Sequence, residues 1–127
     1  MTKTRYNKVS VIGMGYIGLP TAAAMAGKGL TVLGCDINPE VVETINRGEI
    51  HIIEPDLDQL VKEVVSACRL KVFLEPQEAD VYMIVVPTPF KFNREPDISF
   101  VEQAVRSILS KLKAGDLVII ESTSPVL

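Results

Sequence analysis

Two kinds of hydrophobic pattern alternate along the chain. Short β-prone apolar runs occupy residues 9–12, 31–35, 69–74, 81–86 and 117–120. The run at 31–35 is almost continuously apolar, as expected of strands covered on both faces. Between the runs, apolar residues recur at helical spacing. Leu57, Leu60, Val61, Val64 and Val65 form one stripe, and Val101, Ala104, Val105, Ile108, Leu109 and Leu112 form another. A third helix is expected over 16–28, where Ala22, Ala23, Ala24 and Ala26 permit close packing on a sheet.

The punctuation supports this division. Asn38-Pro39-Glu40 is a helix start in which Asn caps, Pro takes the first helical position and Glu suits the dipole; that helix should stop at Gly48. Asp56 after Pro55 reads as the cap of the next, and Ser99 with Glu102 reads as a capping box. Pro20 falls in a first turn, where its missing N–H is tolerated, while Gly27, Gly29 and Gly115 supply stops. The resulting order, β-α-β-α-α-β-β-α-β, predicts α/β architecture: a Rossmann-type doubly wound parallel sheet of order 3-2-1-4-5, truncated at or just after strand five. Strands one and four then form the switch point, so the loops at 13–18 and 87–90 should face each other.

Composition narrows the classes. A length of 127 residues, 47% hydrophobic and 23% charged, fits one globular domain. A net charge of −3 without a basic stripe argues against a nucleic-acid partner. No apolar run approaches the roughly 20 residues of a membrane span, and the basic N-terminus leads into a glycine loop, not a signal-peptide core. A cytoplasmic location is expected. Cys35 and Cys68 read as structural thiols outside any disulfide framework, and the single His51 has no companions at metal-ligand spacing.

The chemistry is carried by Gly13-Met14-Gly15-Tyr16-Ile17-Gly18, placed after a strand and before a helix, with Asp36 ending the second strand. In that setting G-x-G-x-x-G is a dinucleotide fingerprint. Gly13 lets the chain leave the strand in a tight turn, Gly15 lets a pyrophosphate approach the backbone, and Gly18 lets helix and strand pack closely. The N–H groups around Tyr16 and Ile17 suit a phosphate. Asp36 can accept hydrogen bonds from a ribose diol and would repel a 2′-phosphate, which favours NAD over NADP. The alternative is a glycine-rich turn with no ligand.

Five segments in order, Gly13 to Pro20, Asp36-Ile37-Asn38, Glu54-Pro55-Asp56-Leu57, Val86-Pro87-Thr88-Pro89 and Glu121-Ser122-Thr123-Ser124-Pro125-Val126, resemble the UDP-glucose/GDP-mannose dehydrogenase family over nearly the whole chain. The wording from Asn46 to Leu57, with Glu95-Pro96-Asp97, is most similar to the branch acting on UDP-N-acetyl-D-mannosamine; the UDP-glucose branch more typically carries E-P-G-L where this chain has Asp56. The resemblance implies oxidation of a nucleotide-sugar C6 alcohol to a carboxylate with two NAD⁺. It makes residues 1–127 the N-terminal NAD-binding part of a longer protein, a homodimer at full length, whose substrate domains lie elsewhere. The family's thiohemiacetal cysteine sits in a G-G-x-C segment that this chain lacks, so neither Cys35 nor Cys68 takes that role.

Carried over by residue, the cofactor positions are Gly13, Gly15, Tyr16, Ile17, Gly18, Asp36 and Thr88, and the catalytic candidate is Thr123, near the nicotinamide and the reactive water. Thr123 also reads as a strand-end hydroxyl satisfying local backbone. Glu54 and Asp56 form a carboxylate pair only if Asp56 is not simply a cap. Lys91 and Arg94 could meet a diphosphate or merely be solvated; Phe90 and Phe92 could flank an adenine or cover the sheet edge. The competing functions are a β-hydroxyacid or 6-phosphogluconate type dehydrogenase, against which the Glu54-Pro55 and 122–126 segments argue, and a nucleotide-sensing regulatory module.

Overall fold

The computed structural model describes residues 7–86 and 99–121. Five strands, β1 (Lys8–Ile12), β2 (Thr31–Cys35), β3 (Leu70–Phe73), β4 (Val81–Ile84) and β5 (Leu117–Ile120), form one parallel sheet of order β3-β2-β1-β4-β5. This is the predicted order. The register is continuous across the centre, Val11 pairing with Gly34 on one side and Met83 on the other. Four helices connect the strands: α1 (Gly18–Gly27), α2 (Pro39–Asn46), α3 (Leu57–Ser66) and α4 (Ser99–Ile108), the last extended by a 3₁₀ turn at Leu109–Lys111.

Alternation along the strands assigns the helices to faces. Val9, Val11, Val32, Val72 and Val81 point to one side and join Leu19, Ala22, Ala26, Val61 and Val64 of α1 and α3 in the larger core. Ile12, Cys35, Tyr82 and Ile84 point to the other side and meet Ala104 and Ile108 of α4 in a smaller one. Two-sided cover is what the near-continuous apolar strands require. Within the smaller core the Tyr82 hydroxyl accepts the Ala79 N–H at 3.1 Å and donates to the Lys111 carbonyl at 3.3 Å. Ser10 on the same face is fully buried, and its hydroxyl has no hydrogen-bond partner among the described residues.

Three helices end alike. After α1, α2 and α3 the residues Gly29, Gly48 and Cys68 take positive φ (100°, 80° and 59°), and paired bonds turn the chain out of the helix: Gly29 N–H to Ala26 and Leu30 N–H to Met25, Gly48 to Ile45 and Glu49 to Thr44, Cys68 to Val65 and Arg69 to Val64. This is the two-bond Schellman ending, for which glycine is the favoured residue.

Two starts differ from the sequence reading. The first helix begins at Gly18 and not at Tyr16. Leu19 N–H bonds the Gly15 carbonyl and Thr21 N–H bonds that of Ile17, but Pro20 between them has no N–H for the Tyr16 carbonyl, so the regular ladder starts one step later. Asp56 does precede α3, but its φ is 64° and its side chain makes no capping bond, so its place there comes from backbone conformation and not from capping. Asn38 caps as expected, accepting the Glu40 N–H at 3.0 Å. Cys68, expected buried, is exposed.

Candidate dinucleotide site

The loop between β1 and α1 lies at the carboxyl ends of the strands, where β1 separates the two halves of the sheet. Each glycine has its own reason. A Cβ on Gly13 would overlap the Val85 carbonyl, and one on Gly18 would overlap the Gly13 carbonyl, so both are required by packing; Gly13 also has φ 103°. Gly15 is different. A Cβ there would meet no atom of the described residues within 4 Å, and the residue is exposed without a positive φ. The fold leaves space above Gly15 in which a ligand can reach the backbone, and that is the fit expected of a pyrophosphate.

The loop is held from beneath. Gly13 N–H bonds the Cys35 carbonyl at 2.8 Å. The Met14 side chain is fully buried, lying against Gly34 in the middle of β2, where a Cβ would come within 2.8 Å of its sulfur. The first helical bond runs from Leu19 N–H to the Gly15 carbonyl at 3.0 Å, which puts the Tyr16, Ile17 and Gly18 N–H groups ahead of it, at the positive end of α1. Tyr16 is 69% exposed.

Asp36 faces the loop and is already engaged. One carboxylate oxygen accepts the Met14 N–H at 3.1 Å; the other accepts the Asn38 N–H at 3.0 Å. Each oxygen keeps a second lone pair for a diol hydroxyl. Beside it the buried Cys35 thiol is raised from 9.0 to about 12, first by burial and then by the charges of Asp36 and Glu75. Such a thiol stays protonated at neutral pH and is not a nucleophile.

Two cavities meet along Gly13, Asp36 and Val86. One, about 360 Å³, is lined by Gly15, Tyr16, Ile17, Val85 and Glu121 as well. The other, about 320 Å³ and mostly apolar, lies beyond Asp36 among Ile37, Leu74, Glu75, Phe100 and Gln103. Together they form a cleft across the switch point with glycine loop and acid at its middle. Gly13, Gly15, Tyr16, Ile17 and Asp36 line this cleft, and Gly18 lies against the Gly13 carbonyl without lining it. Thr88 and Thr123 lie outside the described residues, as do Phe90, Lys91, Phe92 and Arg94. Glu54 and Asp56 line neither cavity.

Residues 7–127 match the NAD binding domain of the UDP-glucose/GDP-mannose dehydrogenase family. The chain belongs to that family. Among its relatives, UDP-N-acetyl-D-mannosamine dehydrogenase of Yersinia pestis is 59% identical over 121 residues, which are 95% of this chain and 29% of that protein. NDP-N-acetyl-D-galactosaminuronic acid dehydrogenase of Ralstonia nicotianae is 54% identical with the same coverage. The solved UDP-N-acetyl-mannosamine dehydrogenase of Staphylococcus aureus superposes with a TM-score of 0.89 at 45% identity, over 92% of this chain and 29% of that one. The chain therefore spans under a third of the length of these family members. It is an NAD-binding domain of Rossmann type, and among the described residues no helix is long and apolar enough to cross a membrane.

The sequence reading missed several cleft residues. Leu74 and Glu75 follow β3, Val85 follows β4 and Glu121 follows β5. The rule that ligands bind beyond the carboxyl ends of parallel strands points to those positions. Phe100 and Gln103 reach the cleft from α4, and no local pattern marks them.

Proposed function

We propose that this chain holds the hydride acceptor of a nucleotide-sugar 6-dehydrogenase whose substrate is UDP-N-acetyl-D-mannosamine. NAD⁺ supplies the oxidising power: the C6 alcohol and one water become a carboxylate, while two NAD⁺ become two NADH and three protons are released. In this reading the N–H groups ahead of α1 hold the pyrophosphate, Asp36 holds the adenosine ribose, and the apolar cavity beyond it takes the adenine. Gly15 is the observation that carries the reading, because packing among the described residues gives no reason for a missing side chain there. The family resemblance supports Thr88 as part of the opposite wall and Thr123 as a catalytic residue beside the nicotinamide. It also supports a substrate site outside residues 1–127 and a cytoplasmic homodimer for the whole protein.

Gly15→Ala tests the cofactor half. We expect an unchanged melting temperature and at least tenfold weaker NADH binding, whereas Gly18→Ala should unfold the loop and lose both. NADPH bound by the unaltered chain as tightly as NADH would sink the assignment. For the sugar, the whole protein should release two NADH per UDP-N-acetyl-D-mannosamine consumed. The Ralstonia relative at 54% identity favours a second candidate, an N-acetylgalactosamine-series nucleotide sugar, and faster turnover on that sugar would replace the first.

A further inference from the structure

The rim of the apolar cavity carries two carboxylates, Asp36 and Glu75. They are held differently. Both oxygens of Asp36 accept backbone N–H groups, which fixes the direction of that carboxylate. Glu75 follows β3, is exposed, and its carboxylate has no hydrogen-bond or ion-pair partner among the described residues; the Gln77 amide bonds its carbonyl instead, at 3.1 Å. The buried Pro76 behind it limits the backbone freedom of this turn. The Cys35 thiol at the tip of β2 lines the same cavity and lies within range of both negative charges. No lysine or arginine lines either cavity among the described residues.

A ribose held at Asp36 places its 2′ oxygen at this rim. We propose that Glu75 is a specificity-determining residue which, with Asp36, excludes dinucleotides carrying a 2′-phosphate. A phosphate monoester brings nearly two negative charges, and here, among the described residues, it would meet two carboxylates and no lysine or arginine. Neutralising Asp36 alone would therefore not convert the site to NADP. The inference rests on the NAD-binding reading above. A unit charge close to a dianion in solvent-rich surroundings changes affinity by about tenfold. High salt should erase most of that, since the Debye length falls to about 3 Å at 1 M.

Fluorescence titration with NADH and NADPH, on the unaltered chain and on Glu75→Gln at low and at about 1 M salt, tests it. We expect the substitution to raise the NADPH-to-NADH affinity ratio about fivefold or more at low salt, with the gain largely lost at high salt. The exposed side chain predicts an unchanged melting temperature. A ratio that does not move, or moves equally at both salt concentrations, overturns the role of Glu75 while leaving the cofactor assignment intact. An unaltered chain that binds no NADH overturns that assignment and this inference with it.

Discussion

At one edge of the sheet the outward N–H and C=O of Val72 in β3 are both taken by the side chain of Asn46, at 2.9 and 2.8 Å. At the other edge all four residues of β5 are apolar and exposed, from 37% for Val118 to 53% for Ile120. An amide that both donates and accepts imitates a further strand, and it binds α2 to the sheet. The β3 side is thereby a finished piece of protein, with three helices over it and the larger core beneath. The β5 side contributes a wall to the cleft through Glu121 but little burial among the described residues. Stability and site precision should accordingly come from the β1–β3 half.

The largest contrast lies in the thiols of that half. Exposed Cys68 should label readily at pH 8, and Cys35, buried and with its pKa lifted to about 12, should react far more slowly in the fold than in denaturant. Because the unfolded chain loses the Cys35 proton near 9 and the fold keeps it to about 12, stability should fall as pH rises through that window. Denaturant midpoints at pH 8, 9.5 and 10.5 should show a shallower fall in Cys35→Ala.

Gly34→Ala should cost about 2–3 kcal/mol by driving Met14 from its seat. Combined with Met14→Ala it should cost less than the sum, a coupling that urea denaturation would read. Asn46→Ala, which strands two backbone groups, should cost about 2 kcal/mol, whereas Ile120→Thr on the exposed edge should cost under about 0.5 kcal/mol. Equal losses at the two edges would break the comparison. One change is a gain: Cys68→Gly should add about 0.5–1 kcal/mol, since Gly29 and Gly48 already occupy the same turn in the sister helices.

The strands, their order and most helix boundaries were legible because their signals are local: apolar runs, Asn38-Pro39, and glycines at helix ends. The glycine loop and Asp36 were legible for the same reason. What escaped depends on contacts between distant segments. Met14 fills the space left by Gly34 across the sheet, and Asn46 bonds a strand 26 positions away. No spacing rule announces either. Asp56 misled because identity was read where backbone conformation decides: it looks like a cap and bonds nothing as one. The start of α1 was misplaced because Pro20 was read as tolerated, although its missing N–H delays the regular ladder to Gly18. Glu75 was passed over since β3 was treated as scaffold, although its carboxyl end borders the cleft.

The bond from Met14 N–H to Asp36 ties the glycine loop to the acid, so that in the proposed reading the phosphate cradle and the ribose acceptor are one preassembled unit. A dinucleotide arriving there need not organise the loop, so the entropy of ordering it is spent during folding and not at the encounter. The same economy makes the unit fragile. Removing the carboxylate should surface both as a lost acceptor and as a slackened cradle, so that even ligands without a ribose diol, such as inorganic pyrophosphate, would register the change.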